Sequence, residues 1–274
     1  MSGRFRSVIG AVAIAAAMGL VAACGSSSEA SVGHVHNLGL EGDRLVLGSH
    51  EGLWEQPEGG ALTLVSVEPF DVMGLARDGD RWLASGHPGE GMDAPADLGL
   101  LESLDGGVTW RPVSLSGEVD FHRLVASGSA VMGVSAHDGA LLRSDDDGRT
   151  WESLGAPPVG DIALSPTDSQ VVVVTTAEGL ARSDDGGRTF ALLAGSPGAL
   201  LLAWTDAGLF AVAANGQVHL SPDSGASWMP RGSMGGEPVA LAADGMRLAG
   251  LIGDTVQFST DGGASFAPRL TGVS

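Results

Sequence analysis

Ser144-Asp-Asp146-Asp-Gly148-Arg-Thr-Trp151 decides the fold of this chain, because the pattern recurs. It returns as Ser103-Leu-Asp105-Gly-Gly107-Val-Thr-Trp110, Ser183-Asp-Asp185-Gly-Gly187-Arg-Thr-Phe190, Ser221-Pro-Asp223-Ser-Gly225-Ala-Ser-Trp228 and Ser259-Thr-Asp261-Gly-Gly263-Ala-Ser-Phe266. Successive aspartates lie 41, 39, 38 and 38 residues apart. A worn sixth copy, Gln56-Pro-Glu58-Gly-Gly60, stands 47 residues before Asp105. A fixed period of this length marks a supersecondary unit that cannot bury its own faces and must stack on its neighbours.

Each period has room for four short strands. In the third they are expected at Phe121–Ala126, Ala130–Ser135, Gly139–Ser144 and Arg149–Leu154. Their apolar residues alternate imperfectly, as in strands buried on both faces. The 43 glycines and 13 prolines among 274 residues fit many tight turns and no collagen repeat. The expectation is an all-β, six-bladed β-propeller over residues 33–270. Its blades fall near 33–66, 67–116, 117–156, 157–195, 196–233 and 234–270. The longest insertion, His87 to Leu98, lies in the second blade.

The repeated box resembles the Asp-box, or BNR repeat, of sialidases, sortilin-like receptors and a photosystem II assembly propeller. The residue chemistry of the box is structural. Its Asp accepts hydrogen bonds from turn amides, its Gly supplies positive φ, and its aromatic wedges between adjacent sheets. Asp105, Asp146, Asp185, Asp223 and Asp261 therefore read as turn locks. A calcium loop would need a denser set of oxygen ligands.

The first 23 residues read as a lipoprotein signal peptide. Arg4 and Arg6 precede an apolar run from Val8 to Ala23, 16 residues long and short of the ~20 of a bilayer span. The run ends Leu20-Val21-Ala22-Ala23-Cys24, and Cys24 is the only cysteine. This resembles the lipobox of bacterial lipoproteins, which implies cleavage before Cys24 and lipidation of its thiol. Residues 24–32 then form a lipidated tether. The expected location is the extracytoplasmic face of the cell membrane, held by the N-terminal lipid. Loss of the leader removes two arginines and no acids, so the net charge of −19 becomes −21. Arg supplies all 14 basic residues against 33 acids, which excludes nucleic-acid binding through a basic field. One cysteine also excludes an intrachain disulfide and a Cys-cluster zinc site. The chain is expected to be a monomer.

In propellers with this box, the box turn lies opposite the binding face. The resemblance thus implies a binding mouth built from the start of each first strand and the loop after each second strand. After the second strands stand His50, His87, His137, Ala177, Asn215 and Gly253. At the first strands stand His34 and His36, then Asp71 and Met73, then Asp120 and His122, then Asp161. Six of the seven histidines thus ring one mouth in the first three blades; His219 falls on a third strand and reads as ordinary surface. His34, His36, His50, His87, His122 and His137, with Met73 and Asp71, form the expected metal site. Imidazoles suit copper, zinc, nickel and iron, and a thioether favours Cu(I), so copper comes first and zinc second. Six imidazoles and a thioether exceed the needs of one zinc ion and allow a pair of ions. No organic cofactor is expected.

His34-Val-His36, Ser49-His50-Glu51-Gly52-Leu53-Trp54, Ser85-Gly86-His87-Pro88 and Phe121-His122 resemble a group of actinobacterial lipoproteins labelled glycosyl hydrolase or exo-α-sialidase-like. The label rests on the boxes, which are scaffold. Sialidases use a Tyr nucleophile and an arginine triad. This chain has no Tyr. Arg44, Arg81, Arg143, Arg149, Arg182 and Arg188 all fall on the far side or by the boxes, leaving Arg123 alone near the mouth. A two-carboxylate glycosidase is the next enzymatic reading, but its candidates Glu51, Asp71, Glu90, Asp93, Asp138 and Glu178 read as solvated loop charge. A protein or glycan ligand at the mouth completes the set of alternatives, the former making the chain an interaction scaffold.

Overall fold

The computed structural model describes residues 32–273, together with Met1. The leader, Cys24 and most of the tether lie outside the described residues. Those described contain no helix, and none long and apolar enough to cross a membrane.

Twenty-four strands form six four-stranded antiparallel sheets. Blade one holds β1 (Val35–Glu41), β2 (Arg44–Ser49), β3 (Gly52–Gln56) and β4 (Thr63–Leu64). Blade two holds β5 (Asp71–Asp78), β6 (Arg81–His87), β7 (Leu100–Ser103) and β8 (Arg111–Ser114). Blade three holds β9 (Phe121–Ser127), β10 (Ala130–Ser135), β11 (Leu141–Ser144) and β12 (Glu152–Ser153). Blade four holds β13 (Ile162–Leu164), β14 (Val172–Thr176), β15 (Gly179–Ser183) and β16 (Ala191–Leu192). Blade five holds β17 (Leu201–Thr205), β18 (Gly208–Val212), β19 (Gln217–Ser221) and β20 (Met229–Ser233). Blade six holds β21 (Pro238–Asp244), β22 (Arg247–Ile252), β23 (Thr255–Ser259) and β24 (Ala267–Thr271). Strands pair in chain order within each blade. This is the six-bladed β-propeller that the repeats predict.

The second strands explain the imperfect alternation. After Arg44, β2 reads Leu45-Val46-Leu47-Gly48-Ser49, and all five are buried. Leu45 and Leu47 pack with Ala249 and Leu251 of blade six, while Val46 packs with Val72 and Trp82 of blade two. One face meets each neighbouring blade, so both faces must be apolar.

Every box spans the turn between a third and a fourth strand. In blade three, Ser144 Oγ donates to Asp146 Oδ1 at 2.8 Å and accepts from Gly148 N at 2.9 Å. Thr150 donates through its N to Asp146 Oδ1 at 2.8 Å and through its hydroxyl to Oδ2 at 2.7 Å. The same four bonds recur in the other four boxes at 2.6–3.0 Å. The box also fastens blade to blade. A β-carbon on Gly148 would lie 2.1 Å from Leu100 Cδ2 of blade two, so only glycine lets the turn sit there. Trp151 Nε1 donates to Gly148 O and to Ser114 Oγ of blade two.

No strand is shared between the first and last blades, so side chains close the ring. Arg247 Nε donates to Asp43 Oδ1 at 2.9 Å, Gly42 N to Asp244 Oδ2 at 2.6 Å, and Arg269 Nε to Gln56 Oε1 at 3.0 Å.

The boxes predict acid sensitivity. Hydrogen bonds from Thr and Ser hold Asp105, Asp146 and Asp185 at about 2, below the 3.8 of a free Asp, and depress Asp223 and Asp261 as well. A depressed folded pKa means that the unfolded state binds more protons in the window between the two values. The contribution is complete above the unfolded value and is lost as pH falls through the folded one. Thermal stability should therefore hold down to pH 4 and drop steeply from pH 4 to pH 2. A melting temperature that stays flat across that window would show that the boxes do not carry the fold.

Candidate functional site

The first strands of the six blades enclose a central channel with a cavity of about 220 Å³. Leu38, Leu75, Leu124 and Leu201 line its body, and His36, His122, Arg123 and Asp161 are also among its lining. A repeated irregularity supplies these side chains. Val35 pairs with Ser49 and Asn37 with Gly48, which leaves His36 as an extra residue. Met73 is extra in blade two, His122 in blade three and Val239 in blade six. A β-bulge of this kind re-aims one side chain and bends the strand. His36, Met73 and His122 therefore hold equivalent positions in consecutive blades.

The residue two before each bulge is equivalent too: His34, Asp71 and Asp120. Each faces the end of its blade's second strand. Asp71 pairs with His87, and His34 O accepts from His50 N at 3.2 Å. In blade three, however, Asp120 O accepts from Ala136 N, so His137 stands one residue further out than His50 and His87.

These positions bring one cluster together across blades one and two. His36 Nε2 lies 3.4 Å from His50 Nδ1 and 3.5 Å from Asp71 Oδ1, and His50 Nδ1 lies 2.9 Å from Asp71 Oδ2. One ligand atom from each of the three lies within 4.8 Å of the others. His34 packs edge-on to His36, with ring centroids 4.9 Å apart, and lies 5.9 Å from His50. Asn37 holds the two blades in register by donating Nδ2 to Met73 O at 2.8 Å and to Val72 O at 3.3 Å. Burial lowers the His36 pKa to about 4, against the opposing pull of the Asp71 carboxylate, so this imidazole is neutral at neutral pH. Met73 is half-buried and enters the network through its carbonyl oxygen.

The other three histidines do not join this cluster. They alternate with carboxylates across blades two and three. His122 Nε2 lies 2.7 Å from Asp120 Oδ2, and His87 Nε2 lies 3.5 Å from the same oxygen. His137 Nε2 meets Asp97 Oδ2 at 3.0 Å, and His87 Nδ1 lies 3.8 Å from Asp97 Oδ1 and 2.9 Å from Ala96 O. Asp120 is 2 % exposed. Among the described residues, Asp71 Oδ1 and Asp120 Oδ1 are buried atoms without a hydrogen-bond donor.

Asp97 is therefore part of the mouth beyond the residues expected there, while Asp120, expected at the mouth, is the carboxylate that His87 and His122 share. Asp120 was legible as the equivalent of Asp71. Asp97 sits at the end of the His87–Leu98 insertion, where no repeat position announces it. The insertion folds back closely: Leu98 N donates to Gly86 O, and a β-carbon on Gly89 would lie 2.0 Å from Pro69 O. Glu51, Glu90, Asp93, Asp138 and Glu178 are exposed. His219 is half-buried on β19 rather than plain surface. Trp54 is 4 % exposed and packs in the core, so it offers no platform at the mouth.

The arginines are placed as structure. Arg44 binds Glu55 and Gly106 O, Arg81 binds Asp147, and Arg182 binds Asp184 and Ser224 O, all beside boxes. Arg143 is fully buried and donates to Asp145, Ser169 O and Gly186 O. Arg123 reaches the channel 3.3 Å from Asp161, and Arg77, which donates to Leu40 O, lines it as well. Burial raises the Asp161 pKa, Arg123 opposes that rise, and Leu202 N donates to Asp161 Oδ2 at 2.8 Å.

Solved structures share this architecture. The chain matches the GH74 xyloglucanase from Xanthomonas campestris with a TM-score of 0.53 at 17% identity, over 87% of this chain and 45% of that one. It spans less than half of that enzyme. It matches YCF48 bound to a D1 peptide with a TM-score of 0.51 at 18% identity, over 88% and 83% of the two chains. It matches the WD40 β-propeller domain of Doa1 with a TM-score of 0.56 at 15% identity, over 86% and 82%. At these identities the likeness is one of fold. No family model matches the sequence, and no curated protein matches it either.

Proposed function

We propose that this protein is a lipid-anchored extracytoplasmic lipoprotein whose propeller mouth binds a transition-metal ion, for metal binding or handling. The observation that carries the reading is the triangle of His36, His50 and Asp71: His36 Nε2 lies 3.4 Å from His50 Nδ1 and 3.5 Å from Asp71 Oδ1, His50 Nδ1 lies 2.9 Å from Asp71 Oδ2, and one ligand atom from each residue lies within 4.8 Å of the others. Ligands at ~2.0–2.1 Å from a tetrahedral ion stand ~3.3–3.4 Å apart, so the two nitrogens at 3.4 Å are spaced as one edge of such a site, with the Asp71 carboxylate near enough to supply a third ligand. His34 is the nearest candidate for a fourth corner. Two imidazoles and a carboxylate leave room for an exogenous ligand, which fits either handing an ion on or polarising a bound molecule. Among divalent ions an N/O site of this kind binds copper most tightly, with zinc and nickel after it. The acidic surface raises the local cation concentration.

The test begins at Cys24. Cys24→Ser should move the chain from the membrane fraction to the soluble fraction and remove its only thiol. The released chain, stripped of metal, should then take up copper and zinc at micromolar concentrations or below. His36→Ala combined with His50→Ala should abolish uptake at that triangle. Retention of the Cys24→Ser chain in the membrane would end the lipoprotein reading, and failure to bind either ion would end the metal reading. In the latter case a glycan-directed mouth becomes the better account. Its support is Asp161, a buried carboxyl group with a raised pKa lining the channel, as a general acid requires.

A further inference from the structure

We propose that the mouth face of blades four to six lies against the surface of the phospholipid bilayer that holds the Cys24 lipid. This depends on the lipoprotein reading and adds a contact surface and an orientation to it. The first argument is where the chain enters the propeller. Val32 is 7 % exposed and packs in the core shared by blades one and six. At Gly33 a β-carbon would lie 3.0 Å from Glu51 Cγ, and His34 O accepts from His50 N. The chain is therefore fastened at the mouth, against the loop that follows the second strand of blade one. Eight residue steps separate Val32 from Cys24, and at ~3.3–3.6 Å each they span at most about 29 Å. β1 alone, with seven residues at ~3.3 Å each, is ~23 Å tall, and the turns at its ends add to that. To set the box face on the bilayer, the tether would have to run almost straight down the full height of a blade. With the mouth towards the bilayer, no such extension is required.

The second argument is the surface itself. Two grooves of about 940 and 680 Å³ cross blades four to six and share Thr176, Ala177, Ala199 and Leu200. Leu180, Leu192, Leu193 and Ala213 also line the first, and Pro158, Val159, Pro238 and Val239 the second. Of all the residues lining the two grooves, Glu178 and Arg123 alone are charged. Leu192, Leu200 and Val239 are large apolar side chains exposed at 60, 41 and 52 %. Val239 is the bulge residue of blade six, the place that His36 and His122 hold in blades one and three. From Thr189 to Thr205 the chain carries no charged residue. A contiguous exposed apolar surface marks a contact. The tether says with what: it keeps lipid within reach at high local concentration, so a weak apolar contact suffices. A lipid chain and a second contact together make stable attachment. Contact through blades four to six leaves the His36, His50 and Asp71 triangle of blades one and two open to an ion.

The test uses the lipidated chain purified from membranes. Its single natural thiol is occupied by the lipid, so an introduced cysteine is the only one that takes a label. Leu200→Cys, Val239→Cys and, on the box face, the exposed Leu104→Cys are each labelled with an environment-sensitive fluorophore. The proteins are reconstituted in phosphatidylcholine vesicles, with and without phosphatidylcholine that bears a doxyl quencher high on its acyl chain. Labels at positions 200 and 239 should enter the ~5–10 Å deep interfacial layer, shift to the blue and be quenched. The label at position 104 should do neither. Leu192→Asp with Leu200→Asp should abolish quenching at position 239 and leave the protein in the membrane pellet. Equal quenching at positions 104, 200 and 239 in vesicles that retain the protein overturns the docking and leaves the lipid anchor standing. A blue shift at positions 200 and 239 without doxyl quenching means that protein covers the surface, and overturns it too. If the parent chain does not sediment with membranes, the lipoprotein reading falls and the docking falls with it.

Discussion

Gly86→Ala should cost this protein about 3 kcal/mol or more of stability, and metal uptake at the mouth with it. Gly86 lies on β6 opposite the bulge of β5, pairing with Val72. Its φ is 155°, and a β-carbon there would lie 1.8 Å from the carbonyl oxygen of Asp71 and 3.0 Å from Met73 N. Both obstacles are backbone, so no rotamer change relieves the overlap. Either the β5–β6 pairing opens or the chain around Asp71 moves away, and overpacking of this kind is among the larger single-residue effects. For a domain of this size the cost corresponds to a fall of roughly 6–12 °C in melting temperature. Movement of Asp71 also breaks the triangle with His36 and His50, so uptake should fall even where the variant remains folded. A melting temperature within a degree of the parent's would show that the close approach of Gly86 to Asp71 is not a constraint on the fold.

That position also shows where reading the sequence succeeds and where it stops. The boxes were legible because each one is a local device: Ser144, Asp146, Gly148 and Thr150 satisfy one another within seven residues, and the same four roles recur four times. Blade count and order follow from that repetition. The strand ends follow less well. Arg149 and Trp151 were expected within the fourth strand of blade three, but the box keeps them in the turn, and β12 begins at Glu152. The histidine ring was legible as a set of repeat positions, yet its division into two groups was not. That division depends on which carboxylate each imidazole meets across a blade boundary. His50 meets Asp71, while His137, shifted by one residue, meets Asp97 on the insertion of the preceding blade. The bulges were equally hidden, because a single extra residue at the head of a strand leaves no mark in an apolar pattern. They nonetheless decide that His36 and His122 line the channel.

Asp71→Asn should separate chemistry from architecture. The substitution keeps the size and shape of a side chain that is 18% exposed, and it leaves the backbone pairing of Asp71 with His87 in place. It removes the negative charge on which the imidazoles of His36 and His50 converge. A neutral amide is a poor ligand for a copper or zinc ion beside two imidazoles, and the site loses one of its three closely spaced ligand atoms. Changing residues that merely orient a ligand costs ~10–100-fold in metal affinity, so replacing a ligand should cost at least ~100-fold. The metal-free melting temperature should stay within ~2 °C, because a near-isosteric change at a partly exposed position costs little in packing. Loading with metal should raise the melting temperature of the parent by mass action and leave that of Asp71→Asn unmoved at the same concentration. A loss of only ~10-fold would mean that Asp71 merely holds the His50 ring in place, and equal affinity would move the search for the ion to the His34 side of the mouth. A fall in metal-free stability comparable to that of Gly86→Ala would mean instead that the carboxylate is a structural tie between blades one and two. A loss of ~100-fold or more with retention of stability supports the ligand role, since a residue that only oriented His50 should cost less and a structural tie should cost stability.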